Sequence, residues 1–372
     1  MRNTIIAIVI CFSLLCSQAN AATASPIDTA WNKGLAWMMR QQHSDGGWSD
    51  ASGLGVQTTA EFLNALWSAN LRGSYTFLGG LSWLGNATAA SVDALSRQIG
   101  ALATAGGDTS SLTTKLLAWR NLWSAWGAYP QYETSLPDTP LAIISLMDAK
   151  KSSYSDTDLK NAACQFLPTQ LSSSDNYLWP YSASGATGSV LPSGQRSGAI
   201  VPTAYAILAL QKISAERSAM ASLSCNSKSY ALATVIDHAV TGLLTKKKSD
   251  NGFGDGNVST VVETALVYRV LKTIRPNDPA TGPALDYLLN KQQAVNNGSW
   301  EDSAYSTAVV LASLPAPSAL VDSDRDGIPD GVEAILGTDP NNADDARSLA
   351  KDAVQKITPT HNTDSQSGQT TP

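Results

Sequence analysis

Histidine and charged residues are scarce in this chain of 372 residues. The three histidines, His43, His238 and His361, lie far apart, so a zinc site with three protein ligands is not expected. Asp, Glu, Lys and Arg together make up 15% of the residues, and the net charge is -6. The cationic run at residues 246–248 is typical of a solvated helix end. We therefore predict no nucleic acid partner.

Long apolar runs are also missing, except near the amino terminus. Arg2 precedes an apolar run over residues 5–15, and small residues follow at 19–21, a pattern that predicts a secretory signal peptide over residues 1–21. This run is shorter than the ~20 residues that a membrane-spanning helix needs. We predict a secreted, periplasmic or cell-surface protein with no stable membrane span after cleavage.

Cysteine is rare, with four in the chain. Cys11 and Cys16 would leave with the signal peptide, which keeps Cys164 and Cys225 in the mature protein. An exported protein can hold a disulfide between them. The alternative is a buried free thiol at Cys164, and spacing alone does not decide because disulfide geometry is three-dimensional.

An acidic run near the carboxyl terminus is the most specific motif. Residues 322–333 fit the calcium-loop pattern D-x-D-x-D-G-x-x-D-x-x-E at every position, with Gly327 at the sharp turn. Calcium takes six to eight oxygen ligands. The predicted ligands are the side-chain carboxylates of Asp322, Asp324, Asp326, Asp330 and Glu333 and the backbone carbonyl of Ile328. The alternative is an acidic linker with accidental spacing.

The flanks of this loop differ from those of an EF-hand. Pro315 and Pro317 disfavour a long entering helix, and residues 331–336 could form a short exit helix ended by Gly337. Residues 322–342 resemble the calcium repeats of thrombospondin type 3 modules, which implies a calcium-binding segment over residues 315–346. A second acidic group follows, formed by Asp339, Asn341, Asp344 and Asp345, but it lacks the full spacing of a calcium loop. We therefore expect a single site with the weak calcium affinity that is typical of extracellular modules. Residues 347–372 are polar and are predicted to be disordered.

The body of the chain repeats a helical hairpin. An amphipathic helix that ends in a Gly-aromatic turn is followed by an apolar helix rich in Thr or Ala. Five motif-bearing pairs are 33–48 with 57–69, 112–130 with 139–149, 161–181 with 202–213, 231–255 with 261–274, and 284–300 with 306–314. Residues 77–105 can hold a sixth hairpin without the motif. The second helices are apolar on all sides, as at residues 204–210, which indicates an inner ring of buried helices inside an outer ring. An open solenoid or a bundle is the alternative.

The repeats resemble the QW motif of squalene-hopene and oxidosqualene cyclases, with Gln42 and Trp48 and again Gln292 and Trp300 at the matching positions. That family, which includes protein prenyltransferase beta subunits, has an all-α (α/α)6 toroid, and the resemblance covers residues 22–314. In the family the Gln side chain bonds to the turn and stacks on the Trp. The predicted domains are thus a signal peptide at 1–21, a toroid at 22–314, the calcium segment at 315–346 and a tail at 347–372.

The same resemblance argues against the best-known reactions of the family. Of the cyclase motif Asp-x-Asp-Asp-Thr-Ala, Asp138 remains, and Pro137 occupies the position of the proton donor. No Cys or His lies in the repeats that match the zinc ligands of prenyltransferases, and the thioester motif Gly-Cys-Gly-Glu-Gln of related toroids is missing.

Acidic residues near the turns are candidates to face the bowl of the toroid: Asp50, Glu61, Glu133, Asp138, Asp255, Glu263, Glu301 and Asp302. Their alternative role is helix capping. A long loop at 185–194 could cover the bowl. We predict an exported calcium-binding toroid that binds a ligand, a surface protein or a glycan without catalysis. The alternative is an enzyme, a polysaccharide lyase or hydrolase or a terpenoid-processing enzyme, that uses these acids. A third reading is a piece of a larger surface protein.

Overall fold

The computed structural model describes residues 25–49, 53–150, 154–182, 197–318 and 320–345. Six hairpins of an outer and an inner helix follow one another: α1 (Pro26–Gln41) and α2 (Gly55–Ser68), α3 (Tyr75–Asn86) and α4 (Val92–Thr104), α5 (Ser110–Ala118) and α6 (Asp138–Asp148), α7 (Asp156–Phe166) and α8 (Ile200–Glu216), α9 (Leu232–Leu244) and α10 (Val261–Ile274), α11 (Thr281–Val295) and α12 (Ala304–Ser313). The predicted hairpins are confirmed, including the one without a turn motif.

The even-numbered helices form a closed inner ring. Each packs against the next even-numbered helix, and α12 packs against α2. Helix α1 also packs against α11 and α12, so the first and last hairpins meet at a seam. The all-α toroid is therefore confirmed, and an open solenoid is excluded because such a stack has free ends.

Helix α8 shows why the inner helices are buried, because most of its side chains are small or apolar. On α8, Ala204, Ala206 and Ala209 are fully buried, as are Ile207 and Leu210. A helix without a polar face is stable only when it is enclosed. The outer hairpin partners supply that enclosure.

A clasp between the turn aromatic and the inner-helix threonine holds five of the hairpins together. In the first hairpin the Trp48 backbone N–H donates to Thr59 Oγ1 at 3.0 Å, and the indole N–H donates to the Met38 carbonyl at 2.8 Å. The same backbone bond joins the pairs Trp126–Thr139, Trp179–Thr203, Phe253–Thr264 and Trp300–Thr307. All five aromatic side chains are fully buried. The α3–α4 hairpin uses Gln98 instead, which donates to the Leu84 and Ala87 carbonyls.

Glutamine side chains join each of three repeats to the next. Gln42 Nε2 donates to the Gly46 carbonyl in its own turn and to the Thr76 carbonyl in α3. Gln292 does the same with Gly298 and, across the seam, with Ala30 in α1. The predicted bond from glutamine to turn is confirmed. Gln170, which the sequence analysis did not single out, bonds to the Tyr177 and Val235 carbonyls.

A short β-hairpin departs from the all-helical pattern. Strands β1 (Ser222–Cys225) and β2 (Lys228–Ala231) pair antiparallel, with Ser222 opposite Ala231. Cys225 at the end of β1 is disulfide-bonded to Cys164 in α7, with their Cα atoms 5.3 Å apart. Of the two alternatives for these cysteines, the disulfide is therefore the one observed.

The acidic segment after the toroid folds back across α1. Its short helix α13 (Asp330–Leu336) ends at Gly337, whose φ of +86° is the left-handed conformation that glycine tolerates. The Trp31 indole N–H donates to the Pro315 carbonyl at 2.8 Å, and Arg40 Nη2 donates to the Ile335 carbonyl at 2.6 Å. The segment thus lies along the whole of α1.

Several sequence predictions fall outside the described residues: the signal peptide at 1–21, Asp50, the loop at 185–194 and the tail at 347–372. Among the residues that are described, no helix has both the length and the hydropathy needed to cross a bilayer.

Candidate functional site

The acidic loop at residues 322–328 is folded by its own carboxylates. Asp322 accepts hydrogen bonds from the backbone N–H groups of Arg325 at 2.7 Å and Gly327 at 3.0 Å. Asp326 Oδ1 accepts one from the Ile328 N–H at 2.7 Å. Gly327 has a φ of +91°, and a Cβ there would lie 2.7 Å from the Ser74 Cα, so glycine is required both for the turn and for docking on the toroid.

The remaining carboxylate oxygens of this loop lack partners. Asp324 Oδ2, Asp326 Oδ2 and both oxygens of Glu333 are buried and accept no hydrogen bond from the described residues. Burial, followed by the charges of Asp326 and Asp324, raises the pKa of Glu333 to about 7. Buried carboxylates without donors are costly, and a hard divalent cation that binds oxygen would relieve that cost. The residues present therefore fit calcium.

The ligand oxygens fall into two groups that share Asp326. Oxygens of Asp322, Asp324 and Asp326 lie within 4.8 Å of one another, and so do those of Asp326, Glu333 and Asp345. Asp345 belongs to the second acidic group, which the sequence pattern did not assign to the site. The structure adds it because the turn after α13 brings the chain back.

The two other predicted ligands are placed differently. Asp330 opens α13, and its carboxylate accepts from the Ser323 N–H at 2.8 Å and the Ser323 hydroxyl at 2.7 Å. Asp330 therefore holds the loop closed, whatever else it binds. Ile328 is buried, at 5% exposure, and both it and the fully buried Val332 belong to the apolar core of the protein, which anchors the loop on the toroid.

The axis of the toroid is occupied by a buried charge network. Glu61 on α2 is ion-paired with Arg97 on α4 and, at 2.9 Å, with Arg269 on α10. Arg97 also pairs with Asp93 at 2.9 Å and donates to the Tyr205 hydroxyl. Burial by itself would raise the pKa of Glu61, but the positive charges of Arg269 and Arg97 outweigh burial and hold it below its usual value.

A second carboxyl lies at the amino end of α6. Asp138 is buried and accepts a hydrogen bond from the Ser135 hydroxyl. Burial raises its pKa to about 6, and the negative charge of Asp93 acts in the same direction, against the opposing effect of Arg97. A carboxyl whose pKa is raised toward neutral pH can serve as a general acid.

Most of the other predicted bowl acids form local hydrogen bonds. Asp255 accepts from the Ile200 N–H at the start of α8 and pairs with Lys246, while Glu263 accepts from the Thr260 hydroxyl and the Asp255 N–H. Glu301 accepts a hydrogen bond from the Ser306 hydroxyl, and Asp302 accepts one from the Asn297 side-chain amide. Glu133 is exposed. For Asp255 and Glu263 the capping alternative is the one observed.

The residues that complete the network were missed in the sequence. Asp93, Arg97 and Arg269 lie in the middle or first turn of inner helices, away from the turn motifs. A signal was present, since arginine within an otherwise apolar helix needs a buried partner. The aromatic residues near the α5–α6 turn differ in burial. Trp126 is buried, whereas Trp123 and Tyr129 are half-exposed.

Comparisons with known proteins agree with both parts of the chain. The family description of the bacterial TSP3 repeat matches residues 322–343. A search of curated proteins finds no match to the chain. Among solved structures, the type II terpene cyclase MstE from Scytonema is similar with a TM-score of 0.55 and 13% identity, covering 77% of this chain and 96% of the cyclase.

Two further structures broaden that picture. An inactive variant of an alpha-1,6-mannanase of Salegentibacter, in complex with alpha-1,6-mannotriose, has a TM-score of 0.54 at 10% identity, with 77% of this chain and 97% of the mannanase covered. The ent-copalyl diphosphate synthase of Streptomyces platensis has a TM-score of 0.50 at 15% identity, covering 70% of this chain and 50% of the synthase. At these identities the likeness establishes the toroid fold alone, and both predicted resemblances are confirmed.

Proposed function

We propose that this protein is an exported, calcium-binding toroid that binds a ligand without catalysis. The observation that carries this proposal is the network of Glu61, Arg97 and Arg269, whose paired charges join α2, α4 and α10 across the axis. Arginine side chains held in buried ion pairs are poorly suited to move protons, because a guanidinium does not deprotonate in proteins. Rigid inner helices and paired charges suit a binding scaffold.

The calcium part of the proposal assigns six ligands and adds a seventh. Asp322, Asp324, Asp326, the Ile328 carbonyl, Asp330 and Glu333 would hold the ion, with Asp345 alongside. Calcium when bound supplies positive charge to the buried oxygens of the loop. Because this segment lies across α1 at the seam of the ring, the bound ion would fasten the first hairpin to the last.

Export is proposed on two grounds. Residues 1–21 have the pattern of a signal peptide. The Cys164–Cys225 disulfide suits an oxidising compartment, and millimolar calcium outside the cell suits a weak site. The boundaries proposed are residue 21 for cleavage, 314 for the end of the toroid and 346 for the end of the calcium segment.

An enzymatic function is the second candidate, and Asp138 favours it. Its carboxyl, with a pKa of about 6, lies near the ion-paired Asp93, an arrangement that could donate a proton to a polysaccharide or terpenoid.

One experiment separates the two candidates. Purified protein and the Asp138→Asn variant are incubated with alpha-1,6-manno-oligosaccharides and with a geranylgeranyl substrate, and the products are followed by mass spectrometry. Binding without catalysis predicts unchanged substrates in both samples. Conversion by the natural protein that is lost in Asp138→Asn would replace the leading proposal with the second one.

A further inference from the structure

A cavity of about 300 Å³ lies on the toroid axis, on the side where the inner helices end. It is lined by residues of α2, α4, α6, α8 and α10, mostly from their later turns, and the ion pairs of Glu61 border it. The turns that carry Trp48 and Asp138 lie at the other end of the inner helices. Of the acids that the sequence analysis proposed for the bowl, Glu61 borders this cavity.

The charged groups around this cavity are all paired with one another. Lys212 Nζ lies 2.7 Å from Asp148 Oδ1 and 2.6 Å from Glu216 Oε1, and Glu61 is held by two arginines. A charged ligand would have to break one of these pairs and leave its partner without compensation. The lining thus favours an uncharged ligand.

One polar side chain of the lining still lacks a partner. Ser96 on α4 is 2% exposed, and its hydroxyl has no hydrogen bond to the described residues. A buried hydroxyl without a partner is costly, and a ligand hydroxyl would satisfy it. Asn64 offers a second polar contact on the same cavity.

The apolar part of the lining completes the chemical description. Leu141, Ile144 and Leu208 line the cavity from α6 and α8. A ligand that fits this lining presents hydroxyl groups to the polar side chains and C–H groups to the apolar ones. The volume is at the lower end of the range for small-molecule sites, about 300–1,000 Å³.

We propose that this cavity binds a neutral cyclic polyol of about the size of one sugar ring. The inference rests on the proposed binding function and names its ligand class. The sugar C–H face would pack on Leu141 and Ile144, and its hydroxyls would bond to Ser96 and Asn64. The paired charges would remain intact.

Gly100 offers a direct test because it lines the cavity on α4. A Cβ at Gly100 would meet only Asp148 Oδ2, at 3.8 Å, so the larger side chain of Gly100→Leu would fill the cavity with no backbone clash. Gly85→Leu is the matched control, since Gly85 lies on the outer helix α3 with nothing within 4 Å of its added Cβ. Both changes remove a helical glycine, which favours the helix to a similar degree.

Binding of D-mannose, D-glucose and myo-inositol is measured by calorimetry on the full chain with calcium present. The natural protein and Gly85→Leu should bind at least one of them equally, Gly100→Leu should lose at least about tenfold in affinity, and Ser96→Ala about fivefold for one lost hydrogen bond. Thermal melting of each variant checks that it is folded.

Two results would overturn the inference. Absence of binding for every polyol at millimolar concentrations would remove the ligand class. Equal affinity in Gly100→Leu would place the ligand elsewhere and leave the general binding function standing. Conversion of oligosaccharide, by contrast, would overturn the non-catalytic function and not this cavity.

Discussion

Replacing Glu61 by glutamine tests whether the buried charge network holds the toroid together. Glu61 is 6% exposed in its side chain and carries the ion pairs to Arg97 and Arg269. Glutamine has nearly the same volume, so the substitution removes the charge without opening a cavity. After this substitution Arg97 retains its ion pair with Asp93. In the described part of the chain, however, Glu61 is the only acidic partner of Arg269.

The expected cost follows from this difference. Removing one partner of a buried ion pair costs about 3–5 kcal/mol, because the other charge stays buried without compensation. Glu216→Gln is the control, since Glu216 is 41% exposed and pairs with Lys212 on the surface. Such a pair contributes only about 0–1 kcal/mol.

Urea unfolding monitored by circular dichroism measures the free energy of unfolding. With an m value of about 3 kcal/mol/M, the midpoint should fall by about 1–1.7 M for Glu61→Gln and by less than about 0.3 M for Glu216→Gln. The double variant Glu61→Gln with Arg269→Gln should be more stable than the sum of its single changes predicts, by about 1–3 kcal/mol.

A loss in Glu61→Gln no larger than in the control would refute this reasoning. So would strict additivity in the double variant, because independent effects mean that the two side chains are not paired. In either case the axis would not be closed by charge, and the scaffold proposal would lose its main support.

Three further predictions concern the loop, the clasp and Asp138. Chelation by EDTA should speed proteolysis within residues 322–345, and Asp326→Ala should have the same effect. At a calcium concentration tenfold above Kd, the bound ion adds about 1.4 kcal/mol to the free energy of unfolding. Identical cleavage with and without chelator would contradict calcium binding. Trp48→Ala should cost about 3–5 kcal/mol and Thr59→Val about 1–3 kcal/mol in urea unfolding; an unchanged midpoint in both would mean that the clasp does not hold the hairpin. The pKa of Asp138 is about 6 in the folded state and about 3.9 in the unfolded state. Its contribution to the free energy of unfolding is therefore greatest below pH 4. That contribution falls by up to about 3 kcal/mol as the pH rises to 6. The stability difference between the natural protein and Asp138→Asn, measured from pH 4 to pH 7, should follow that curve, and a flat difference would contradict the assignment.

The repeats could be predicted because each hairpin carries its own local signals. The Gly-aromatic turns at Trp48 and Trp300 and the apolar run at residues 204–210 each reflect one hairpin, and the resemblance to cyclase repeats added the closed ring. The threonine of each clasp was visible as a Thr-rich helix, but its partner was not, because a side-chain bond across a hairpin depends on the exact position of both helices.

The central network shows what the pattern could not supply. Glu61 was a candidate among eight acids, yet its partners Arg97 and Arg269 lie 36 and 208 residues away in the chain. Helices α2, α4 and α10 must converge on one axis before these charges meet. Folding likewise places Asp255 at the start of α8, where it accepts a hydrogen bond from the Ile200 N–H, 55 residues away in the chain.

By itself, the sequence determined the helical hairpins, their buried inner faces and an acidic loop with calcium spacing, because those features are fixed by residues that are neighbours along the chain. Tertiary structure decided that Cys164 pairs with Cys225, that Asp345 joins the loop, and that Glu61 pairs with two arginines across the axis. Each of these depends on distances between residues far apart in sequence, which burial and packing set together.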